Sequence, residues 1–333
     1  MTAAVELRGV RLGHGGPPVV HDIDLEVGVA ETVVILGPSG SGKSTLLSAI
    51  AGFIRPLAGT VRIAGRLVDG PATNVPPERR SVGVVFQHDA LWPHLRVLET
   101  VAYPIRRRGL DRTAAEAIAR GFLERMGIAD LADRRPAQLS GGEQQRTGLA
   151  RALAREAAVY LLDEPTAHLD TALKGTLQAE MAEQCRRTGA AVLYATHDVA
   201  EALAVADRVA LVRDGRLVQV GTPIEVYERP VDAWAARLTG IASVLTATPD
   251  GVPNTAGSGH VLVRPDWVLL GGELPGRVLA VRFRGSHTDT ELTTPFGPLV
   301  VRSPGTPSLS VGQPASWQLR RCWPLQDGEA VKP

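Results

Sequence analysis

The stretch Gly37-Pro38-Ser39-Gly40-Ser41-Gly42-Lys43-Ser44-Thr45 narrows the possible folds more than any other part of this chain. It fits the phosphate-cradling pattern G-x-x-x-x-G-K-[ST] at every fixed position. Before it, Thr32 to Leu36 is apolar and β-branched, and short enough to be a buried strand. After it, Leu46 to Ala51 is apolar at helical spacing and is stopped by Gly52. Glycines and small serines let successive backbone N–H groups curl around an oxyanion, and the following helix N-terminus adds partial positive charge. Lys43 then brings a mobile charge to the β- and γ-phosphates, and the Ser44 hydroxyl is a ligand for Mg²⁺. The loop predicts a nucleotide site but not what the nucleotide drives.

The remaining elements fall in order around that loop. Val5-Glu6-Leu7-Arg8 and Ile23 to Val27 alternate apolar and polar, as antiparallel strands with one wet face do. Thr60 to Ala64 and Ser81 to Phe86 read as further strands, the second ending at Gln87. From Ala90 to about Glu156 the periodicity is helical, most clearly in Glu99 to Tyr103 and Ala114 to Met126. Val159 to Leu162 is an apolar strand closed by Asp163 and Glu164, and Ala190 to Thr196 has the same form, closed by His197. Strands alternating with helices predict a parallel sheet with helices on its faces. Chemistry in such sheets lies beyond the carboxyl ends of the strands, the edge where Gln87, Asp163, Glu164 and His197 fall. Beyond about Arg229 to Gly240 come short β-rich runs, among them Val261 to Val263, Arg277 to Phe283 and Leu299 to Val301. That tail reads as a small separate β-barrel or sandwich.

Composition removes several function classes. At 333 residues two domains are expected. A net charge of +1 gives no field for a polyanion, and the pairs Arg79-Arg80, Arg134-Arg135 and Arg320-Arg321 read as solvated faces. Cys185 and Cys322 stand in no metal-ligand spacing. Met1 to Glu6 has no basic region followed by an apolar core, and no apolar run approaches the roughly 20 residues that cross a bilayer. A cytosolic protein that meets a membrane only through a partner is expected.

Leu139-Ser140-Gly141-Gly142-Glu143 opens a second helix N-terminus suited to an anion, with a serine cap and two glycines for close backbone approach. The phosphate loop, Gln87, this segment, Leu161-Leu162-Asp163-Glu164, Leu169-Asp170 and His197 occur in one order and spacing. Together they resemble the ATP-binding cassette (ABC) ATPases over about residues 1–237. The resemblance implies an α/β P-loop NTPase with a RecA-like core, an antiparallel β subdomain and a helical subdomain at about 90–156. It implies ATP and Mg²⁺ as ligands, and a second copy of the chain paired head to tail. ATP on one loop would then be capped by Ser140 and Gly142 of the other copy. Asp163, Ser44 and Gln87 would hold Mg²⁺, Glu164 would polarise the attacking water, and His197 would contact the γ-phosphate. Asp170 would lie at the seam. Two positions depart from the family pattern: His14 stands where an aromatic, often Tyr, stacks on adenine, and Ala167 replaces the usual serine of Ser-x-Leu-Asp.

Several machines use this cassette, so the use of the energy needs local signals. Leu91-Trp92-Pro93-His94-Leu95-Arg96-Val97, Pro76-Pro77-Glu78-Arg79-Arg80 and Asp214 to Pro223 are similar to segments of bacterial importer cassettes. Trp92 and Leu95 belong either to the core of the helical subdomain or to a groove that receives a permease's coupling helix. Val263-Arg264-Pro265-Asp266 with Gly276-Arg277-Val278 resembles the transport-associated OB domain, giving an OB-like all-β unit at 238–333. Ser286-His287-Thr288-Asp289 is a candidate binding loop there. These signals imply the ATP-hydrolysing subunit of an importer at the cytoplasmic face of the cell membrane. Its partners would be permease subunits and, indirectly, an extracytoplasmic solute-binding protein, with no nucleic acid. An exporter cassette, or a soluble cassette acting on nucleic acid or ribosomes, is the alternative.

Overall fold

The computed structural model describes residues 3–13, 15–86, 91–167, 171–247 and 259–325. They form two compact units, 1–220 and 221–333.

The first unit is built on two sheets. Strands β1 (Val5–Leu12), β2 (Val20–Val27), β4 (Ala58–Ile63), β5 (Arg66–Gly70) and β6 (Thr73–Asn74) make one, in the order β2-β1-β4-β5-β6. Its described pairings are antiparallel, with Leu7 opposite both Leu25 and Val61. Strands β3 (Thr32–Leu36), β7 (Val82–Val85), β8 (Val159–Asp163), β9 (Ala191–Thr196), β10 (Arg208–Arg213) and β11 (Arg216–Gly221) make the other, in the order β11-β10-β3-β9-β8-β7. From β10 to β7 its neighbours run parallel. Every residue of β9 is buried, as expected of a strand covered on both faces.

Helix α1 (Lys43–Ala51) leaves the phosphate loop and lies in the core shared by the two sheets. Its Leu46, Leu47 and Ile50 belong to one cluster with Leu7, Val61, Ile35, Leu161 and Leu193. An apolar helix with almost no wet face can exist only so enclosed. Its C-terminus is met by Arg80, which is 1% exposed. Arg80 Nη1 donates to Ala49 O at 2.8 Å and Ile50 O at 3.0 Å, its Nε to Val75 O at 2.7 Å, and its Nη2 to the Asp69 carboxylate at 2.8 Å. The expectation of a solvated face at Arg79-Arg80 is therefore overturned for Arg80. Its Nη1 serves the last turn of α1, where carbonyls run short of helical partners, and its Nε and Nη2 tie that turn to Val75 and Asp69. Arg80→Ala would strand the buried Asp69 carboxylate, and a loss of about 3–5 kcal/mol in unfolding free energy is expected by denaturant titration.

The helical block holds α2 (Val97–Arg106), α3 (Arg112–Arg125) and α4 (Gly141–Leu153); α5 (Thr171–Thr188) leads to β9 and α6 (Val199–Val205) follows it. The second unit opens with α7 (Pro223–Glu228) and α8 (Ala233–Leu238) and continues through β12 (Ser243–Thr246), β13 (His260–Val263), β14 (Val268–Phe283), β15 (His287–Thr294), β16 (Gly297–Pro304), β17 (Pro314–Leu319) and β18 (Trp323–Pro324). These strands form two antiparallel sheets, β12-β13-β18 and β16-β15-β14-β17, around a core centred on Trp317. Beyond its two opening helices the described residues of the unit are mainly strands, apart from one 3-10 turn at Pro265–Trp267, consistent with an OB-like domain. The division at Val220 precedes the boundary expected at 237. Arg264, fully buried, donates to Tyr227 O at 2.7 Å, Ala236 O at 2.8 Å, Ile241 O at 3.1 Å and Thr239 Oγ1 at 2.9 Å, fastening α7 and α8 to the β-tail. Arg321 adds a bidentate pair to Glu228 at 2.7 Å on both arms.

Candidate functional site

The loop 37–42 joins β3 to α1 in a conformation only glycine permits at its two ends. A Cβ on Gly37 would stand 2.3 Å from Val212 O, and Gly42, at φ +96°, would drive one to 2.8 Å from Val20 Cγ2. Gly42 caps α1 without any side-chain hydrogen bond, so the helix presents its first N–H groups unoccupied by a side chain. Ser41 Oγ is buried with no hydrogen-bond partner among the described residues. Lys43, 6% exposed, folds over the loop and donates to Gly37 O and Pro38 O, both at 2.8 Å. Burial pushes its ammonium below the ordinary lysine range, and the Glu164 and Asp163 carboxylates pull it back. Open helix donors, an orphaned hydroxyl and a buried cation make a cradle fit for phosphate.

Asp163 ends β8 and Glu164 follows at φ +48°, a left-handed conformation that a non-glycine residue keeps only where its surroundings enforce it. Glu164 N–H donates to Ala195 O at 2.9 Å on the neighbouring strand, and Gln145 Nε2 on α4 donates to Glu164 O at 3.0 Å. The side chain reaches His197, just past β9, with Nδ1 2.8 Å from Glu164 Oε1. His197 is 59% exposed and Glu164 17%, so the pair faces outward over the sheet edge with the carboxylate the better shielded of the two.

Lys43, Asp163, Glu164 and His197 are thus brought together at the carboxyl edge of the parallel sheet, as their sequence positions predict. Ser44 is exposed at the first turn of α1 beside them, and Thr45 is half-buried. Ser44 and Asp163 offer hard oxygen donors, and a site that completes its shell with phosphate and water oxygens suits Mg²⁺. Among the described residues no group of three or more His, Cys, Asp or Glu side chains forms a metal cage. His14, Gln87 and Asp170, expected at adenine, metal and seam, lie outside the described residues.

Ser140 and Gly142 begin α4 in the helical block. Ser140 Oγ accepts from Glu143 N at 3.4 Å while Ser140 N donates to Glu143 Oε2 at 2.7 Å, a reciprocal cap that leaves Ser140 exposed. Those backbone and side-chain hydrogen bonds from Ser140 hold the Glu143 carboxyl below its usual range. Gln145, three residues past Gly142, was not singled out from the sequence. Its polar, in-motif position was the available signal, but its contact with Glu164 is made only by the fold.

Two expected secondary features resolve differently. Leu95 lines a groove with Ala102, Tyr103, Glu99 and Arg112, whereas Trp92 packs its ring 4.9 Å from Tyr103 and 5.2 Å from the Arg151 guanidinium. In the second unit His287, Thr288 and Asp289 belong to strand β15 rather than a loop. Asp289 is claimed by Arg302 at 2.8 and 3.2 Å, and that guanidinium holds its carboxyl below the usual range.

A family profile described as ABC transporter matches residues 20–167. The Fe(3+) ions import ATP-binding protein FbpC of Streptomyces avermitilis is 42% identical over 307 residues, 86% of this chain and 87% of that protein. The spermidine/putrescine import ATP-binding protein PotA of Thermobifida fusca is 38% identical over 83% of this chain and 76% of that protein. Among solved structures, the dimeric ATP-binding cassette MJ0796 bound to ADP and Pi superposes with a TM-score of 0.61 at 29% identity, over 66% of this chain and 98% of that one.

Proposed function

Because the chain belongs to the ABC transporter family and is an ATP-hydrolysing cassette of it, we propose that it powers solute import through a membrane permease, with Glu164 as the group that activates water. The observation that carries this is the convergence of Lys43, Asp163, Glu164 and His197 on one sheet edge, with Glu164 and His197 2.8 Å apart. The backbone of residues 37–42 and Lys43 bind and neutralise the phosphates of ATP. Ser44, Asp163 and Gln87 would hold Mg²⁺, which when bound offsets charge developing on the phosphate oxygens. Glu164 orients the attacking water and takes up its proton as the γ-phosphorus passes from ADP to the water oxygen. His197, engaged with Glu164 through Nδ1, leaves Nε2 for a γ-phosphate oxygen and fixes the carboxylate's direction. Ser140 and Gly142 cap the ATP of a second copy, an arrangement supported by the dimeric form of the similar cassette. His14 is the residue proposed to stack on adenine.

Import as the use of the energy is supported by the names of relatives at comparable identity, for iron(III), spermidine/putrescine and glycerol phosphate. Their different solutes argue that specificity resides in the permease and solute-binding protein. Among the described residues no helix is long and apolar enough to cross a membrane, which fits a peripheral subunit docked on permease subunits at the cytoplasmic face. The groove beside Leu95 and Tyr103 is the proposed seat for the permease. Capture of the tagged full-length chain from gently solubilised native membranes, with mass spectrometry of its partners, tests this. Recovery of permease and solute-binding protein together is expected. A permease alone would contradict import, and ribosomal proteins without any membrane protein would contradict transport.

A further inference from the structure

We propose that Glu201 is a positioning residue that sets the separation of the two loops carrying Glu164 and His197. Glu201 lies in the first turn of α6, 7% exposed, directly behind those loops. Its Oε1 accepts hydrogen bonds from Thr166 Oγ1 and from Gln178 Nε2, the latter at 3.1 Å, and its Oε2 accepts from Thr196 Oγ1 at 2.9 Å. Thr166 stands two residues after Glu164, and Thr196 immediately before His197. One carboxylate therefore clasps both loops, an oxygen to each.

The clasp continues into a buried network: the Tyr194 phenol lies 3.2 Å from Thr166 Oγ1, a contact in which either hydroxyl can donate. Burial, with Glu201 adding to it, pushes the Tyr194 phenol well above its ordinary range and keeps its proton in place. Thr196 Oγ1 in turn accepts from Asp198 N–H at 3.0 Å, so its hydroxyl brackets His197 from both sides in the chain. A carboxylate this buried is tolerated only where donors surround it, and three do so here. Glu164, with its backbone in the left-handed region, is the residue whose placement such a clasp protects. The α4 contact from Gln145 holds its carbonyl; the Glu201 clasp holds the turn that follows.

The inference rests on the ATP-hydrolysing reading, and the test separates the two. Phosphate release from ATP would be followed for the purified full-length chain and for Thr166→Val, Thr196→Val, the double valine variant, and Thr166→Ser. Valine keeps the branched shape of threonine and puts a methyl group in place of the hydroxyl. Each valine variant is expected to lose about 10-fold in kcat and the pair about 10²-fold, the scale on which small misplacements near a reacting centre act. The KM for ATP should stay within about twofold, because the phosphate loop that binds it is untouched. Thr166→Ser, which restores the hydroxyl, should recover most of the rate, and so should Thr196→Ser if a valine variant does not fold. Valine variants with wild-type kcat and only a lowered thermal midpoint would overturn the positioning role and leave Glu201 a structural core group. A wild-type chain that releases no phosphate would overturn the ATPase reading itself, and this proposal with it.

Discussion

Lys43→Ala is expected to abolish measurable ATP binding. The Lys43 ammonium is the cation folded over the phosphate loop, donating to Gly37 O and Pro38 O at 2.8 Å and sensing both Glu164 and Asp163. On binding, those donors move to phosphate oxygens, and hydrogen bonds between charged groups are each worth about 1.5–3 kcal/mol. Losing two of them weakens affinity by at least about 10²-fold. The fold should survive, because α1 is held by Leu46, Leu47 and Ile50 in the core and by Arg80 at its far end. Calorimetric titration with Mg·ATP, alongside a thermal melt, separates the outcomes. A wild-type affinity in a folded Lys43→Ala chain would contradict the phosphate-loop role.

Glu164→Gln should leave ATP bound and remove turnover. Glutamine keeps the length of glutamate and an oxygen to accept from His197 Nδ1, so the 2.8 Å contact and the local backbone should persist. What is lost is the negative charge that polarises water and the basic site for its proton. General-base contributions of this kind are about 10²–10⁴-fold in rate. The expected signature is a fall in kcat of that size with nucleotide affinity close to wild type. A kcat within about threefold of wild type would assign the base elsewhere, since a factor that small is under 1 kcal/mol of transition-state stabilisation.

The parts of this site that were legible in the sequence are those whose chemistry is local. A glycine-rich loop between a β-branched run and an apolar helix specifies its own backbone. Strands that end in Asp163-Glu164 and in His197 announce, by position alone, that these groups share an edge. The antiparallel strand Val5–Leu12, the parallel strands and the β-rich tail followed from alternation and run length in the same way. What stayed hidden depends on contacts between distant segments. Arg80 carried the same composition signal as the exposed Arg134 and Arg135, yet it is buried because Asp69 and the end of α1 meet it from 11 and about 30 residues away. Gln145 and Glu201 act on the Glu164 turn across separations of 19 and 35 residues, beyond any periodic pattern. The ties of α7 and α8 to the β-tail through Arg264 and Arg321 likewise join segments too far apart for any local pattern to show.

The shared site has one direct test, which is the mass in solution of the Glu164→Gln chain by light scattering, with and without Mg·ATP. If Ser140 and Gly142 of one copy cap the nucleotide held by Gly37 to Thr45 of another, ATP bound but not hydrolysed should lock two copies together. The predicted result is a mass of twice 35.3 kDa with Mg·ATP and a return toward 35.3 kDa with ADP or without nucleotide. A nucleotide-saturated Glu164→Gln chain that remains at 35.3 kDa would contradict it.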